Sequence, residues 1–490
     1  MAQSSETPAT PTRQPRRADP VTPTRQILSR MGIPSTNSRP NTSTSRPNTS
    51  HSVASWKTGN VRHIAQQVVQ PLIKQASNLI HAYMVCGLNR DPTEWIVAPK
   101  CATGRPSRTN GAVGSFLSPQ ILGSIPPHEK DQETVQMFAA ALKAVFPNDC
   151  EICVGSKPPG STCHSFVLQM SPTRSLYGVA LRLWVRSDKQ RLARIATMID
   201  AQELDEKNGS QSVWIPYCIS YLSHYPLFDL MSDYLRCSWT LWSKQPDKFN
   251  NDGVLRLMKM APPRPDQMLR IALDEYVLCY QVPSRSQDFQ NFPLWPIFTC
   301  LTPNHVVAAM EAALSPQGKI ILSSSHPAIL TPVAETIRFF ARTWNGLYVP
   351  IVYGRHTQDM VDEPAPYILG ITKSSKPLYT APKDALVVDL DSNRIYTTKP
   401  PASLSQRQRQ RYASTIQQSI QGAGVDGVPN HLRSAYENNV RFSAFGCIMT
   451  EDAQPWAKEP EWWDHQKAIA AMHHVCDRIV SHPLPKQCQY

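Results

Sequence analysis

The chain has 490 residues, 44 prolines and a net charge of +12, which is enough sequence for two or three domains. Residues 1–62 hold nine Lys or Arg against two Asp or Glu, a net charge of +7, so the rest of the chain carries only +5. The part with a folded composition therefore lacks the basic footprint of a nucleic-acid-binding protein. The N-terminus has no apolar signal segment, and no apolar run is long enough to cross a bilayer. We expect a cytoplasmic protein with reduced thiols and no transmembrane segment.

Residues 1–60 are rich in Ser, Thr, Pro and Arg and poor in apolar side chains, so we expect this tail to be disordered. The sequence Thr10-Pro-Thr-Arg13 recurs as Thr22-Pro-Thr-Arg25. Such echoes arise in low-complexity sequence, but they also suit a basic tail that phosphorylation regulates. In the second interpretation, residues 1–62 contact an acidic membrane surface.

The next part of the chain alternates strands with one clear helix. Residues 82–88 read as a strand, residues 132–145 as a helix and residues 151–154 as a strand. Residues 163–170 and 176–185 alternate in and out across a polar turn, which predicts a hairpin. Residues 214–242 read as a strand, a bend and a helix, and the proline-heavy residues 262–296 as a surface loop.

The stretch 298–370 combines helices with fully apolar strands. Thr302 is suited to cap a helix whose first position is Pro303. Residues 319–322, 347–352 and 367–371 read as strands, and residues 332–342 as the helix between the first two. This order predicts a parallel sheet covered on both faces. Beyond it, residues 386–390 read as a strand, Asp391 to Asn393 as a turn and residues 394–397 as a return strand.

Several short sequences resemble the segments of DENN domains. Those similar to the central segment are Leu301-Thr-Pro-Asn, Ile320-Ile-Leu-Ser-Ser-Ser and Pro364-Ala-Pro-Tyr-Ile-Leu-Gly. Those similar to the upstream segment, which is a longin-like lobe in the family, are Tyr83-Met-Val-Cys-Gly-Leu, His164-Ser-Phe-Val-Leu and Leu176-Tyr-Gly-Val-Ala-Leu. The run that begins at Leu432 resembles only the opening helix of the downstream segment.

The resemblance implies an α/β fold with a longin-like N-terminal lobe, a parallel-sheet central DENN lobe and a short helical C-terminal part. The expected divisions are a disordered tail (1–60), an upstream lobe (61–190), a linker (191–212), a central lobe (213–400), a second linker (401–431) and a partial downstream segment (432–490).

The resemblance also implies guanine-nucleotide exchange on a Rab-type small GTPase in membrane trafficking, in the cytoplasm and peripherally at membranes. An exchange factor stabilises the nucleotide-free GTPase, so no catalytic residue, cofactor or metal is expected. We expect the GTPase to lie across both lobes. Polar or aromatic side chains at the rims of the lobes are the candidate partner-binding residues: Ser324, Ser325, His326, Asp391, Arg394 and Tyr177.

Two other functions remain open. One is a DENN-fold scaffold that binds GTPases or trafficking partners without exchange, which the short downstream segment favours. The other is activation of GTP hydrolysis through Arg182 or Arg186, since an arginine finger stabilises phosphoryl transfer, although ordinary strand-surface arginines explain both residues.

Three clusters of ligand-type side chains have simpler structural explanations. Cys150, Cys153, Cys163 and His164 could hold zinc, but a second paired-cysteine motif is missing and core thiols explain them. Asp389 and Asp391 could hold magnesium, but Asp-Ser-Asn is typical of a turn. His473 and Asp477 are spaced for a contact along one helix face.

Overall fold

In a computed structural model, the structure describes residues 78–98, 111–171, 174–198, 212–245, 248–262, 264, 267–273, 276–281, 292–342, 344–373, 379–397, 404–420 and 463–481. The predictions for the N-terminal tail, for residues 61–77 and for the run at Leu432 lie outside the described residues.

Within the described residues, the first lobe contains seven strands and three helices. They are β1 (Ala82–Gly87), β2 (Ala112–Leu117), β3 (Gln120–Ile125), α1 (Gln132–Val145), β4 (Cys150–Gly155), β5 (Thr162–Ser171), β6 (Arg174–Arg186), α2 (Lys189–Met198), β7 (Ser212–Ser223) and α3 (Phe228–Lys244). A short 3-10 turn (Pro92–Glu94) follows β1. The predicted helix at 132–145, the strands and the β5–β6 hairpin are confirmed.

All pairs of strands in this sheet are antiparallel, and β7 is its central strand. β6 pairs along one side of β7, while β1 and β4 pair along the other side. Nearly every residue of β7 is buried, because strands and helices cover it on all sides. β7 is predicted to open the central lobe, but it belongs to the sheet of the first lobe. The boundary expected at residue 213 therefore falls inside that sheet.

Helices cover this sheet for reasons visible in the sequence. Asp131 caps α1, because its side chain accepts a hydrogen bond of 2.7 Å from the Thr134 amide. Met137, Phe138 and Ala141 then lie on the buried side of α1. α2 begins at Lys189 and continues into the polar run 191–212, which is predicted to be a linker, and its buried Ile195 anchors it.

The surface loop predicted at 262–296 is wrong for the hairpin of β8 (Met268–Leu273) and β9 (Tyr276–Gln281). Leu269, Ile271 and Leu273 alternate and are buried, which is a period-2 signal that the neighbouring prolines obscured. Before this hairpin, a π-helix (Phe249–Leu255) runs into a short α-helical turn (Arg256–Met258).

The central lobe confirms the predicted parallel sheet. Its elements are α4 (Trp295–Cys300), α5 (Pro303–Ala313), β10 (Lys319–Ser324), α6 (Pro327–Phe340), β11 (Leu347–Val349), a 3-10 turn (Gly354–His356), α7 (Thr357–Val361), β12 (Tyr367–Thr372), β13 (Ala385–Asp389) and β14 (Arg394–Tyr396). The strand order is β11-β12-β10-β13-β14, and only the β13–β14 pair in it is antiparallel.

α6 begins earlier than predicted. It starts at Pro327, and Pro332 lies inside it, because buried Ile329 and Leu330 extend its apolar face toward the N-terminus. α5 and α6 cover one face of the parallel sheet, and the loop around α7 covers the other, where Ile321 and Leu369 pack with Val361.

α6 lies between the two lobes, since it contacts β5 of the first sheet as well as β10 and β12 of the second. One continuous hydrophobic core therefore spans both lobes. Two further helices, α8 (Gln406–Ile420) and α9 (His465–Val480), pack on the α5 side. The linker expected at 401–431 is thus wrong for residues 406–420, which form a docked helix. None of the helices in the described ranges is long and apolar enough to span a membrane.

Candidate functional site: a polar cluster at the carboxyl ends of the parallel strands

A polar cluster lies where the parallel strands of the central lobe end. Ser324 is the last residue of β10, Lys373 directly follows β12, and Asp389 ends β13. Because parallel strands present their carboxyl ends at one edge of the sheet, side chains distant in sequence meet there.

Asp391 is the hub of this cluster. Its Oδ1 accepts a hydrogen bond of 2.6 Å from the Ser324 hydroxyl. Its Oδ2 accepts bonds of 2.9 Å from the Ser325 amide and 2.6 Å from the Ser325 hydroxyl. The carboxylate therefore clamps the loop between β10 and α6 to the turn between β13 and β14.

Lys373 balances the negative charge of the cluster. Its ammonium lies 3.2 Å from Asp391 Oδ2 and forms a second ion pair with Asp389 Oδ1. Asp389 also accepts hydrogen bonds from the amides of Asp391 at 3.0 Å and Ser392 at 3.2 Å. The turn predicted at Asp391–Asn393 is present, but the carboxylate that accepts its backbone amides is that of Asp389 at the end of β13, while the Asp391 side chain bonds the β10–α6 loop.

The protonation of both carboxylates follows from these contacts. Burial would raise the pKa of Asp391, but the hydrogen bonds from Ser324 and Ser325 outweigh it and lower the pKa below its ordinary value. For Asp389, burial likewise opposes the hydrogen bonds from Lys373 and Ser392, and the net direction of the pKa is again downward. Both side chains are therefore ionised at neutral pH.

His326 is presented at the start of α6. It occupies the N-cap position, and its amide donates a hydrogen bond of 2.9 Å to the Ser324 hydroxyl. Its side chain is half-buried, as is that of Ser325. Of the loop predicted to face a partner, Ser324 is fully buried and serves the clamp, so Ser325 and His326 are the residues that reach the surface.

Asn393 extends the network to the start of α5. It adopts a left-handed backbone with φ of 52°, which asparagine tolerates better than most residues. Its Oδ1 lies 3.0 Å from the Thr302 amide and 2.8 Å from His305 Nδ1. Thr302 occupies the predicted cap position, but its side chain makes no capping bond. Its backbone amide instead donates to the side-chain oxygen of Asn393.

The outer strand β14 borders the cluster with exposed side chains. Arg394 pairs opposite Asp389 in the sheet, and both Arg394 and Tyr396 are exposed. Arg394 is thus the predicted partner-binding residue with the greatest access to a partner.

Tyr177 does not join this cluster. It lies on β6 of the first lobe, and its hydroxyl accepts a hydrogen bond of 3.2 Å from Arg338 on α6. Its ring packs edge-on against Phe228 at 5.7 Å. The structure therefore places Tyr177 in the contact between the lobes.

The two candidate finger arginines differ in access. The Arg182 guanidinium packs 5.8 Å from the centre of the Trp184 ring, and its Nε atom is buried without a hydrogen-bond partner. Arg186 is exposed at the end of β6. Only Arg186 has the access that a finger requires.

The possible zinc ligands are core side chains. Cys150, Cys153 and Cys163 are buried thiols, and His164 Nε2 lies 3.0 Å from the Ala144 carbonyl oxygen. Burial lowers the pKa of His164 to about 4. Across the ranges that the structure describes, no three His, Cys, Asp or Glu side chains are grouped so that they could hold a metal ion.

His473 on α9 contacts the central lobe. Its Nε2 lies 3.1 Å from Arg342 Nη2, and its ring packs against Phe340 at 5.0 Å. This histidine therefore helps to dock α9.

Sequence reasoning missed Lys373 and Asn393. The signal for Lys373 was available, because it follows a predicted strand at the same sheet edge as Ser324. Asn393 was assigned to the turn, but its bond to Thr302 joins residues 91 positions apart and needs the fold.

Comparison with known proteins identifies the family. The DENN (AEX-3) domain matches residues 214–393, and the uDENN domain matches residues 119–183. The chain belongs to the DENN domain family, whose members are generally exchange factors for Rab GTPases.

The curated relatives are longer and distant. "Elicitor of plant defense protein 1" of Fusarium odoratissimum is 27% identical over 179 residues, which is 35% of this chain and 19% of that protein. The protein of the same name from Gibberella zeae is 28% identical over 130 residues, 26% of this chain and 11% of its own length. "DENN domain and WD repeat-containing protein SCD1" of Arabidopsis thaliana is 26% identical over 190 residues, 37% and 16% of the two chains. The chain thus matches less than a fifth of the length of each of these relatives.

Proposed function

We propose that this protein is a guanine-nucleotide exchange factor for a Rab-type small GTPase. The observation that carries the proposal is the match to both the uDENN and the DENN domain in one chain, in which the two lobes share a continuous core. A GTPase bound across the lobes would meet a surface whose two halves are held together.

The proposed reaction requires no covalent step. The exchange factor binds the nucleotide-free GTPase more tightly than the nucleotide-bound form, and this difference in affinity drives release of GDP. In this proposal the exchange factor presents a rigid surface to the GTPase loops that bind the nucleotide.

The polar cluster of the central lobe is the proposed contact surface. Ser325, His326 and Arg394 are accessible and would contact the partner. Asp391 has its carboxylate engaged by two serines and Lys373, so we assign it the task of fixing the β10–α6 loop. Tyr177 would act indirectly, through the contact between the lobes.

We further propose that exchange takes place at a membrane surface. Residues 1–62 carry a net charge of +7 and would contact acidic lipid, with affinity falling at high salt and on phosphorylation. A vesicle-sedimentation assay with and without acidic lipid tests this point. Equal sedimentation of the full chain and of a chain lacking residues 1–62 would refute it.

The test of exchange is release of a fluorescent GDP analogue from a panel of purified Rab GTPases, with the full chain added at catalytic amounts. We expect faster release from one or a few GTPases. Arg394→Glu should slow release, and Arg174→Glu, which reverses an exposed charge on the first lobe, serves as the matched control.

Two results would direct the proposal elsewhere. Stable binding of a nucleotide-free GTPase without faster release would identify a scaffold. Faster GTP hydrolysis that Arg186→Ala abolishes would identify a GTPase activator that uses the exposed arginine.

A further inference from the structure

A buried ion pair joins the two lobes at a point remote in sequence from the polar cluster. Asp149 follows α1 in the first lobe, and its side chain is only 1% exposed. Its carboxylate accepts hydrogen bonds of 2.8 Å from Arg355 Nη2 and 3.3 Å from Arg355 Nε. The Tyr353 hydroxyl donates a third bond of 2.6 Å. All three donors come from the central lobe.

Arg355 is held from several sides at once. Its Nη2 also donates a hydrogen bond of 3.1 Å to the Ser118 hydroxyl, which lies between β2 and β3. Its guanidinium packs 5.5 Å from the centre of the Tyr353 ring. The next backbone group in the same turn, the Gly354 amide, donates to the Pro147 carbonyl at 2.8 Å. One short turn of the central lobe is thus bonded to two loops of the first lobe.

The backbone at Asp149 serves this contact. Its φ of 64° lies in the left-handed region, which aspartate and asparagine tolerate better than most residues. A buried carboxylate destabilises the fold unless an opposite charge pairs with it, and here the pairing guanidinium of Arg355 comes from the other lobe.

A second contact between the lobes is more apolar. There α6 packs against β5, with polar bonds from Arg338 to Tyr177, from the Tyr348 amide to Gln169 and from the Thr331 hydroxyl to the Ser165 carbonyl. Apolar packing tolerates small shifts of one body over another, whereas a bidentate ion pair fixes distance and direction. The two regions together define one orientation of the lobes.

We propose that the Asp149–Arg355 ion pair is a positioning contact that sets the orientation in which both lobes meet a single GTPase. This inference rests on the proposed exchange function. Neither residue needs to touch the GTPase, because a small misplacement of one half of a binding surface lowers the efficiency of the step that depends on both halves.

The test uses full-length Asp149→Asn, Arg355→Gln and the double variant. Asparagine keeps the shape and the left-handed backbone, so Asp149→Asn removes only the charge and one of the two acceptor oxygens. The double variant leaves no unmatched buried charge, so its unfolding midpoint should return toward that of the wild type. Arg174→Gln is the control, because it removes an exposed ion pair within the first lobe.

Two readouts separate positioning from stability. Hydrogen–deuterium exchange of peptides spanning residues 147–150 and 352–357 should accelerate about tenfold in all three variants, while peptides from β10 stay protected. The kcat/KM for GDP release should fall about tenfold or more in the same variants, including the restabilised double variant.

Other outcomes have distinct meanings. A wild-type rate of GDP release with the double variant would overturn the positioning role. Unchanged protection of the 352–357 amides from hydrogen exchange in Asp149→Asn would overturn it as well. A wild-type chain that neither binds nor stimulates any GTPase would instead refute the proposed function, and with it the role of this pair in presenting the lobes.

Discussion

Replacing Asp391 with asparagine should loosen the β10–α6 loop without unfolding the lobe. The carboxylate accepts three hydrogen bonds from Ser324 and Ser325 and an ion pair from Lys373. The amide has one acceptor oxygen, so whichever way it turns it cannot accept all three serine bonds, and it loses the charge that pairs with Lys373. Lys373 keeps its partner Asp389.

The size of the effect follows from these losses. Hydrogen bonds to a charged group contribute about 1.5–3 kcal/mol each, and the side chain of Asp391 is 23% exposed, so water replaces part of what is lost. We expect a local cost of about 2–4 kcal/mol. Since each 1.4 kcal/mol is a factor of ten, the Ser325 amide should exchange with solvent about 30- to 1000-fold faster.

Hydrogen–deuterium exchange of a peptide spanning residues 323–328 measures this directly at neutral pH. Asp384→Asn is the matched control, because Asp384 pairs with Lys319 at 3.6 Å near the other end of the same sheet and is 57% exposed. That control should cost less than about 1 kcal/mol. Wild-type protection of the Ser325 amide in Asp391→Asn would refute the assignment of Asp391 as the clamp of this loop.

Three further predictions concern stability. Arg409→Met should destabilise the α8 contact by about 3–5 kcal/mol, because it leaves the Glu311 carboxylate, which is 1% exposed, buried without its cation. Glu311→Gln should cost less, because the Arg409 guanidinium is 33% exposed and can turn to water. Equal shifts of the urea midpoint in the two variants would contradict this asymmetry. Gly178→Ala should cost about 1–3 kcal/mol, since a Cβ would lie 2.2 Å from the Phe166 ring, and an unchanged thermal midpoint would disprove the overlap. Because folding lowers the pKa of Asp391, its contribution to stability is present above the unfolded value of 3.8 and disappears as the pH falls through the lower folded value. The stability gap to Asp391→Asn should therefore narrow as the pH falls below 3.8, and a gap that stays constant on further acidification would contradict the ionic clamp.

Much of the candidate site could be anticipated from the chain because it depends on local rules. Apolar runs at Ile320 and Ile368 predicted adjacent parallel strands, and the residues that follow such strands gather at one edge. The sequence therefore indicated Ser324, Ser325 and Asp391 as rim residues, while the bonds that join Asp391 to both serines are a finding of the structure. It could not tell that Asp391 is saturated by the serines, because that depends on distances of a few tenths of an ångström.

The sequence by itself determined most of the elements of this protein, since the period of apolar side chains, prolines at helix starts and Asp-Ser-Asn at a turn act over only a few residues. The tertiary structure alone decided how these elements share space. It placed β7 at the centre of the first sheet and brought Arg355 to Asp149 across 206 positions of sequence. Such pairings depend on which surfaces remain to be buried once local structure has formed, and no short window of sequence contains that information.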